Sequence, residues 1–477
     1  MDGLDVERLL GLALDLAGSM GASYAEARYH ALHGHQAGLM DGRVFAAGYE
    51  ETVGLAVRVI VDGGLGFSAT NRLTREGVEE AVRRAVAGAR LASGMLRRPV
   101  RMAPGRLGRA KYSVSERRPL ESLGLEEKLG MLRERVGAAG LEGLGIEIRR
   151  LTVFYQELRE RKVLATMNGG YIESYVPRVL VGYNITASSG GSVRNRLGML
   201  GWSGGLEGLD EEDLTGSLED DARSLAVALT RAGRIEPGRM DVVLSPELTG
   251  IAVHESIGHP SEADRVLGRE AAQAGLSYWS ELELGDRLGS EHVTVVDDPT
   301  VPGSFGFYLY DDEAVPARPR FLLLEGRVRE MLHNRETGAV YGVGSNGAAR
   351  ARDYKSEPIV RMANTFVQPG DHSLEELVEG VRSGVYIRKY MEWNIDDYRW
   401  AARYVGLEAY RIRNGRLEEP VRDVVLEITS PEFWGSIDAV GRDLRLYPGF
   451  CGKGEPMQAI PVTMGGPSIR LRGVMVR

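Results

Sequence analysis

The segment that most restricts the local fold is His254-Glu255-Ser256-Ile257-Gly258-His259, in which two histidines stand five positions apart. Two imidazoles can hold a metal ion while an adjoining glutamate accepts a proton from a metal-activated water, which is the arrangement of a zinc hydrolase. The more familiar motif H-E-x-x-H is one residue shorter and puts both histidines on one face of an α-helix. On an ideal α-helix, residues five apart point about 140° away from each other. A metal site here therefore requires a local departure from α-helical geometry.

The surrounding sequence allows that departure. A π-type turn would bring the two imidazoles back to one side, and π-bulges collect at functional sites. Ser245 and Pro246 predict the start of the helix, with a capping serine followed by a proline at the first helical position. Gly258 relaxes the backbone between the histidines, and Pro260 ends the helix at the residue before it. The apolar run of residues 240–244 predicts a buried strand leading into this helix.

Cys451 is the only cysteine, so it cannot form an internal disulfide, and a chain of this size without disulfides suits a reducing cytosol. The neighbouring glycines predict an accessible thiol, and Lys453 would favour the thiolate. The alternative is a small buried hydrophobe, which is the commonest fate of a free cysteine. As a third ligand beside His254 and His259, Cys451 would complete a set with the fourth position open for water, as in catalytic zinc sites.

Other polar residues near these segments offer alternatives. Glu262 and Asp264 follow the histidines and could supply a carboxylate third ligand in place of Cys451. Arg361 and Asn364 could stabilise a developing oxyanion or bind a substrate carbonyl. The equal alternative is that both residues brace a loop.

Three further groups have the composition of a metal site. His30, His33 and His35 stand close together, but alternation along a strand would divide them between two faces or place them in solvent. Asp297-Asp298 and Asp311-Asp312-Glu313 could hold a cation, but nearby prolines favour turns and solvated faces. These groups are therefore weaker candidates than the histidine motif.

Taken together, these segments resemble the TldD/PmbA (TldE) family of cytosolic zinc metallopeptidases, first named as modulators of DNA gyrase. The resemblance covers most of the chain and is strongest after residue 240. Its specific parts are the histidine motif and Cys451-Gly452-Lys453-Gly454. Supporting parts are Asp297-Asp298-Pro299-Thr300-Val301-Pro302-Gly303, Tyr310-Asp311-Asp312-Glu313 and Arg361-Met362-Ala363-Asn364-Thr365.

The resemblance implies a role for each residue of the motif. His254, His259 and Cys451 match the family's zinc ligands, and Glu255 matches its general base. In this family the peptidase works with a partner chain, TldE, which lacks the metal motif, so the full motif here is similar to that of the catalytic TldD branch. The family also implies an unfolded peptide that reaches an enclosed site and binds as an added β-strand. The implied assembly is a dimer, formed either with a second copy or with a TldE-like subunit.

Charge and hydropathy exclude several other classes. The net charge of −8 and the pI near 5.7 argue against a nucleic-acid surface, which would carry a basic stripe. No run approaches the roughly 20 apolar residues of a transmembrane helix. Asp2, Asp5 and Glu7 stand where a signal peptide would have its basic segment. We therefore expect a cytoplasmic protein without a membrane partner.

The length of 477 residues and the order of the patterns predict two domains. Residues 1–236 mix helical and strand patterns, and Glu236-Pro237-Gly238 marks a boundary. Residues 237–477 consist mostly of short strand patterns and turns, and they contain the metal motif. Glycine contributes 62 residues, nearly double its usual share of about 7%, which fits many tight turns. The predicted fold class is α+β, with a mixed N-terminal domain and a β-rich metallopeptidase domain.

The sequence thus predicts a zinc-dependent peptidase that hydrolyses unfolded peptides through metal-activated water. The alternative is a non-catalytic partner subunit or a peptide-binding protein that retains a metal. Metal content measured together with peptide turnover separates the two, since a binding subunit would hold metal and cleave nothing.

Overall fold

Long antiparallel strands dominate the first half of the chain in the computed structural model, which describes residues 5–96, 98–269 and 276–477. The alternation of apolar and polar side chains buries one face of each strand, which is the pattern of a sheet covered on one side. The strands are β1 (Tyr24–Met40), β2 (Arg43–Val61), β3 (Gly64–Thr70), β4 (Arg109–Ser113), β5 (Glu147–Thr166), β6 (Tyr171–Ser189) and β7 (Ser192–Ser203). They form one sheet in the order β3-β2-β1-β5-β6-β4, and β7 also pairs with β6.

Helices cover this sheet in two groups. The helices of this half are α1 (Val6–Ser19), α2 (Arg75–Ser93), α3 (Leu125–Ala138), α4 (Gly208–Glu211) and α5 (Leu214–Thr230). Apolar faces of α1 and α2 pack on β1 and β2 in one core, and those of α3 and α5 pack on β5 and β6 in another. Thr74 and Asp213 cap α2 and α5 through side-chain oxygens that accept from backbone N–H groups. The mixture of helices and strands predicted for this half of the chain is confirmed.

The second half of the chain is richer in strands. They are β8 (Gly233–Arg234), β9 (Gly238–Leu244), β10 (Val295–Asp297), β11 (Arg320–Leu324), β12 (Arg327–Val328), β13 (Ala349–Arg350), β14 (Ile359–Val360), β15 (Asn364–Val367), β16 (Ser383–Ile395), β17 (Ala401–Arg413), β18 (Arg416–Arg422), β19 (Val424–Thr429), β20 (Ile437–Val440), β21 (Arg445–Lys453), β22 (Gln458–Gly466) and β23 (Ile469–Val476). The helices are α6 (Pro246–Val253), α7 (Ala263–Val266), α8 (Arg335–Tyr341), α9 (Leu374–Glu379) and α10 (Ser430–Gly435). The α+β class is confirmed, whereas the boundary at 236/237 stays a prediction.

Two larger sheets organise these strands. One has the order β12-β11-β10-β15-β22-β21, so β21 is an edge strand. In the other, β16 pairs with both β9 and β17, and the pairings β16-β9-β23-β19-β17 close into a ring. Helix α6 packs on β22, where a Cβ on Gly250 would lie 3.1 Å from the Cα of Gly465. Glycine at this position lets the helix that carries the histidine motif lie close against the sheet.

The two halves of the molecule meet through buried charges and through strand edges. The Arg58 guanidinium of β2 donates to Glu26 of β1 at 2.9 Å and to Glu313 of the second half at 2.5 Å. At another contact, a Cβ on Gly201 of β7 would lie 3.1 Å from the Cβ of Pro448 of β21. Edge strands of two different sheets therefore border the same region of the molecule.

Candidate metal centre

The histidine motif lies at the end of a buried helix. Strand β9 leads through Ser245 into α6, as expected, although the Ser245 hydroxyl forms no capping hydrogen bond. Residues His254–Gly258 form a π-helical turn, and His259–Ser261 form a 3₁₀ turn. The predicted departure from α geometry is confirmed. Gly258 has ordinary right-handed angles, and its part is steric, because a Cβ there would lie 2.1 Å from the Met362 sulfur.

The π turn brings both imidazoles together with Cys451. Each of the three side chains offers a ligand atom, and these atoms lie within 4.8 Å of one another. The Cys451 Sγ lies 3.3 Å from His259 Nε2, and the two imidazole centroids are 4.9 Å apart. Tetrahedral zinc with its usual bond lengths separates neighbouring nitrogen and sulfur ligands by roughly 3.5 Å. The spacing is therefore compatible with one shared ion.

Burial and nearby charges shift the pKa of each of the three groups towards the protonation state that a metal ligand needs. Burial lowers the pKa of His254 and holds the pKa of His259 well below its usual range, so both imidazoles are neutral. Burial alone would raise the pKa of the Cys451 thiol, but His259 and Arg361 outweigh it and lower that pKa below its ordinary value. Neutral imidazole and thiolate are the forms that bind metal.

Hydrogen bonds of the two histidines also fit a metal ion. Within the described part of the chain, the buried Nδ1 atom of His254 has no hydrogen-bond partner. Nδ1 of His259 lies 3.0 Å from Glu262 Oε2, which leaves Nε2 facing the thiol. A carboxylate behind a ligating histidine is a common second layer of metal sites. The donor set of two nitrogens and one sulfur suits zinc, with a fourth position left for a reactant.

Glu262 and Asp264 lie behind the ligand atoms rather than among them. The Lys453 ammonium lies 3.3 Å from Glu262 and 2.6 Å from Asp264. The described residues whose ligand atoms converge do not include either carboxylate. Lys453 was expected to favour the thiolate, but its ammonium is engaged by these carboxylates, and His259 and Arg361 are the groups that lower the Cys451 pKa.

The setting of Cys451 differs from the expected accessible turn. The residue lies within β21, and its side chain is 4% exposed. Cys451 is paired with Ile460 of β22, and strand alternation directs its thiol into the interior of the site. The expectation of an exposed thiol was therefore wrong, because the flanking glycines belong to a strand rather than to a turn.

A cavity of about 410 Å³ opens on the three ligand residues and Glu255. One wall is strand β21, and another carries Leu197 and Met199 of β7, so the cavity lies where the two edge strands meet. Its lining combines polar and charged groups with apolar and aromatic side chains, and the latter include Ile251, Tyr390, Trp393, Tyr447, Pro448, Phe450 and Met464. A peptide could lie in this space with its backbone near the metal ligands.

Glu255 faces this cavity and contacts one residue that sequence reasoning missed. Its carboxylate accepts a hydrogen bond from the guanidinium of Arg399, which also lines the cavity. Arg399 stands in the turn between β16 and β17, 144 positions after Glu255. No local motif marks it, and only the tertiary fold brings the two together.

Arg361 and Asn364, the two candidates for substrate contact, are fully buried beside the site. Arg361 donates to the carbonyl oxygens of Gln458 and Cys451. Asn364 donates to the carbonyl oxygen of Asp298 at 2.6 Å. Neither residue lines the metal cavity among the described residues. Their contacts correspond to bracing, which is the alternative that the sequence left open.

The other candidate groups hold structural contacts. His30 lies 3.0 Å from Glu160 and His35 lies 2.8 Å from Glu157, whereas His33 is partly exposed, 4.0 Å from Glu51. In the acidic segments, Asp297 pairs with the buried Arg320, and Asp311 accepts hydrogen bonds from the backbone N–H groups of Glu313, Val315 and Ala349. Over residues 5–96, 98–269 and 276–477, the converging metal-ligand atoms belong to His254, His259 and Cys451.

Among the helices of the described residues, none is long and apolar enough to cross a membrane.

Comparison with known proteins gives the family. The profile of the PmbA/TldA metallopeptidase C-terminal domain matches residues 237–477, and that of domain 1 matches residues 25–89. A metalloprotease of Methanothermobacter thermautotrophicus is 33% identical over 473 residues, covering 99% of each chain. The zinc metalloprotease TldD homolog of Saccharolobus solfataricus is 26% identical over 472 residues, covering 96% of this chain and 98% of its own.

Solved structures agree on the fold. The crystal structure of TldE from Thermococcus kodakarensis superposes with a TM-score of 0.75 at 16% identity, covering 98% of this chain and 99% of its own. At this identity the likeness concerns the fold alone. With the profile matches and a relative of 33% identity over nearly the whole length, the chain belongs to the PmbA/TldD family of metallopeptidases.

Proposed function

We propose that this protein is a TldD-like, zinc-dependent peptidase that hydrolyses unfolded peptides. The observation that carries the proposal is the convergence of His254, His259 and Cys451 on one cavity wall, with Glu255 beside them. The thiol and the second histidine are 192 positions apart in sequence, so their contact is a product of the fold. The name of the Saccharolobus relative supports zinc as the metal.

In this proposal the two imidazoles and the thiolate would hold the ion at the cavity wall. Bound zinc would polarise the scissile carbonyl and acidify the attacking water. Glu255 accepts the proton of that water and later delivers it to the leaving amine. Glu262 orients His259, and Arg361 braces the strand that carries Cys451. Burial of the site keeps bulk water away from these groups.

The substrate is an extended, unfolded peptide. Strand β21 is an edge strand that lines the cavity, so a peptide can add to it through backbone hydrogen bonds. The apolar and aromatic residues of the lining can contact apolar side chains of the peptide near the metal ligands. A folded protein cannot present such a strand inside a cavity of this size.

The working unit is a dimer, either of two copies or with a TldE-like subunit. The TldD name of the Saccharolobus relative and the fold shared with TldE support pairing with a TldE-like chain, and the choice between this pair and two copies belongs to the experiment. The alternative function, a non-catalytic subunit that retains metal and binds peptide, has the same metal site and differs only in turnover.

The experiment that tests the proposal combines metal analysis with peptide hydrolysis. The purified protein should contain about one zinc per chain, and it should cut an unstructured peptide while the same sequence inside a stable domain survives. Zinc without turnover, in the presence of a TldE-like chain as well as alone, would favour the binding subunit. Equal cleavage of the free and the folded sequence would contradict an enclosed site.

A further inference from the structure

Arg399 lines the metal cavity beside Glu255, the proposed general base. Its guanidinium contacts the Glu255 carboxylate, and the two side chains are 15% and 7% exposed. Among the described residues that line the cavity, Arg399 is the one arginine or lysine. His254 and His259 line the same cavity. Within the described part of the chain, the permanent positive charge of the cavity lining is thus held at the general base.

The backbone of Arg399 is fixed in an unusual conformation. Its φ is 66°, in the left-handed region that normally favours glycine. The turn holds it there, because its N–H donates to the carbonyl of Asp396 at 3.0 Å and its carbonyl accepts from the Ser430 hydroxyl at 2.7 Å. Strained backbone that persists in a well-braced turn is concentrated at functional sites. The turn therefore directs a long cationic side chain at Glu255 despite the conformational cost.

The Arg399 guanidinium has N–H donors beyond the one that contacts Glu255. An arginine carries five N–H groups, and the Nε atom of Arg399 is buried without a hydrogen-bond partner within the described part of the chain. Planar fork geometry lets one guanidinium contact two oxygens at once. A general base must lie within hydrogen-bond reach of the attacking water. That water attacks the scissile carbonyl, so the carbonyl must also lie near Glu255. The Arg399 guanidinium contacts Glu255 and is therefore within reach of the carbonyl oxygen.

We propose that Arg399 is a catalytic residue, which keeps Glu255 in place and donates to the oxyanion formed on the scissile carbonyl. The inference rests on the proposed peptidase function. The water oxygen bonds to the carbonyl carbon, its proton moves to Glu255, and the carbonyl π pair moves onto oxygen, beside the guanidinium. The electron pair on oxygen then re-forms the carbonyl, the C–N bond breaks with its pair going to nitrogen, and the leaving nitrogen takes the proton from Glu255. Nothing is oxidised or reduced, and the only co-reactant is water.

Two other roles for Arg399 give different results. If Arg399 instead blocked Glu255, substitution of Arg399 would raise turnover. An anchor for the terminal carboxylate of the substrate would act on the ground state, so its removal would raise KM and leave kcat unchanged. Transition-state stabilisation instead lowers kcat and weakens the binding of tetrahedral, anionic analogues.

The test uses zinc-loaded full-length protein and two probes, an unstructured peptide and a phosphinic peptide of the same sequence at the scissile bond. Arg399→Gly relieves the positive φ, so the fold should persist, and Arg399→Lys keeps the charge without the fork. Asn414→Gly is the matched control, because Asn414 has a φ of 46° in the turn between β17 and β18, outside the cavity lining. Zinc content and thermal unfolding are measured for every variant.

We expect Arg399→Gly to lose about 10²–10³-fold in kcat and a similar factor in affinity for the phosphinic peptide, with KM nearly unchanged. Zinc content should stay the same, Arg399→Lys should recover part of the loss, and Asn414→Gly should match the wild type. An unchanged or higher kcat, a change confined to KM, or loss of zinc would each overturn the proposal. A wild-type protein that neither cuts the peptide nor prefers the phosphinic analogue would overturn the peptidase function itself.

Discussion

Nδ1 of His259 lies 3.0 Å from Oε2 of Glu262, while Nε2 of the same ring faces the Cys451 thiol at 3.3 Å. An Nδ1–H donated to this carboxylate leaves the lone pair of Nε2 free for an ion. Lys453 in turn holds Glu262 at 3.3 Å, and all of these side chains are buried. Under the proposed metal site, Glu262 would therefore orient His259 and would not replace the Cys451 thiolate as a ligand.

Glu262→Gln should weaken zinc binding by about 10–100-fold, the usual effect of removing a carboxylate that orients a ligating histidine. Competition with a chromophoric chelator measures this affinity. Asp264→Asn is the matched control, because Asp264 contacts Lys453 but not His259. The control should bind zinc almost as tightly as the wild type. An equal loss in both variants would mean that the lysine network, and not the bond to His259, supports the metal.

Cys451→Ala should cause a far larger loss of zinc and abolish hydrolysis. The thiolate is the one charged ligand of the set, and its removal leaves two neutral imidazoles to hold a divalent ion. In the cobalt-substituted protein, sulfur ligation should give a thiolate-to-metal charge-transfer band that is missing in the variant. A variant with full zinc content, or a wild-type cobalt spectrum without this band, would place the third ligand elsewhere.

Glu255→Gln should keep zinc and lower peptide hydrolysis by about two to four decades, the range of general acid–base catalysis. The amide keeps the size of the side chain and can still contact Arg399, but it cannot accept the proton. Metal analysis checks the zinc content of the variant, and initial rates on the same preparation check the loss of peptide hydrolysis. Turnover near the wild-type level in the zinc-loaded variant would assign the base to another residue.

His333 gives a pH dependence of stability that is separate from the metal centre. Burial lowers its pKa from 6.5 to about 4 in the folded protein, where its Nδ1 lies 3.1 Å from the Thr337 hydroxyl. The unfolded chain binds the proton more readily, so the folded state loses stability as pH falls from 6.5 towards 4. The expected loss is about 3 kcal/mol, and it is absent above pH 7.

Urea unfolding at pH 7 and pH 4 measures this effect as a difference between the wild type and His333→Asn. The asparagine amide can keep the contact with Thr337 but does not titrate in this range. The wild type should therefore lose more stability than the variant over the same pH interval. Parallel losses in the two proteins would mean that other groups account for the acid sensitivity.

The sequence determined the local backbone around the first two ligands. Two histidines five positions apart, followed directly by Pro260, can share an ion only across a widened turn, and the chain forms a π turn at His254–Gly258. The mixture of helical and strand patterns predicted for residues 1–236 is also found, with helices such as α1 and α2, because those patterns reflect contacts that each segment makes with one neighbouring surface. Motifs of this kind depend on residues close together in the chain.

Only the tertiary structure decided how distant residues complete the site. Cys451 was expected in an exposed turn, but pairing of β21 with β22 buries it against His259. Arg361 reaches backbone carbonyls of that hairpin and not the cavity, and Arg399 reaches Glu255 from a turn 144 positions away. Spacing in the sequence specifies the directions of side chains within one helix or strand. The contacts of Cys451, Arg361 and Arg399 depend instead on how separate sheets pack, which no local pattern encodes.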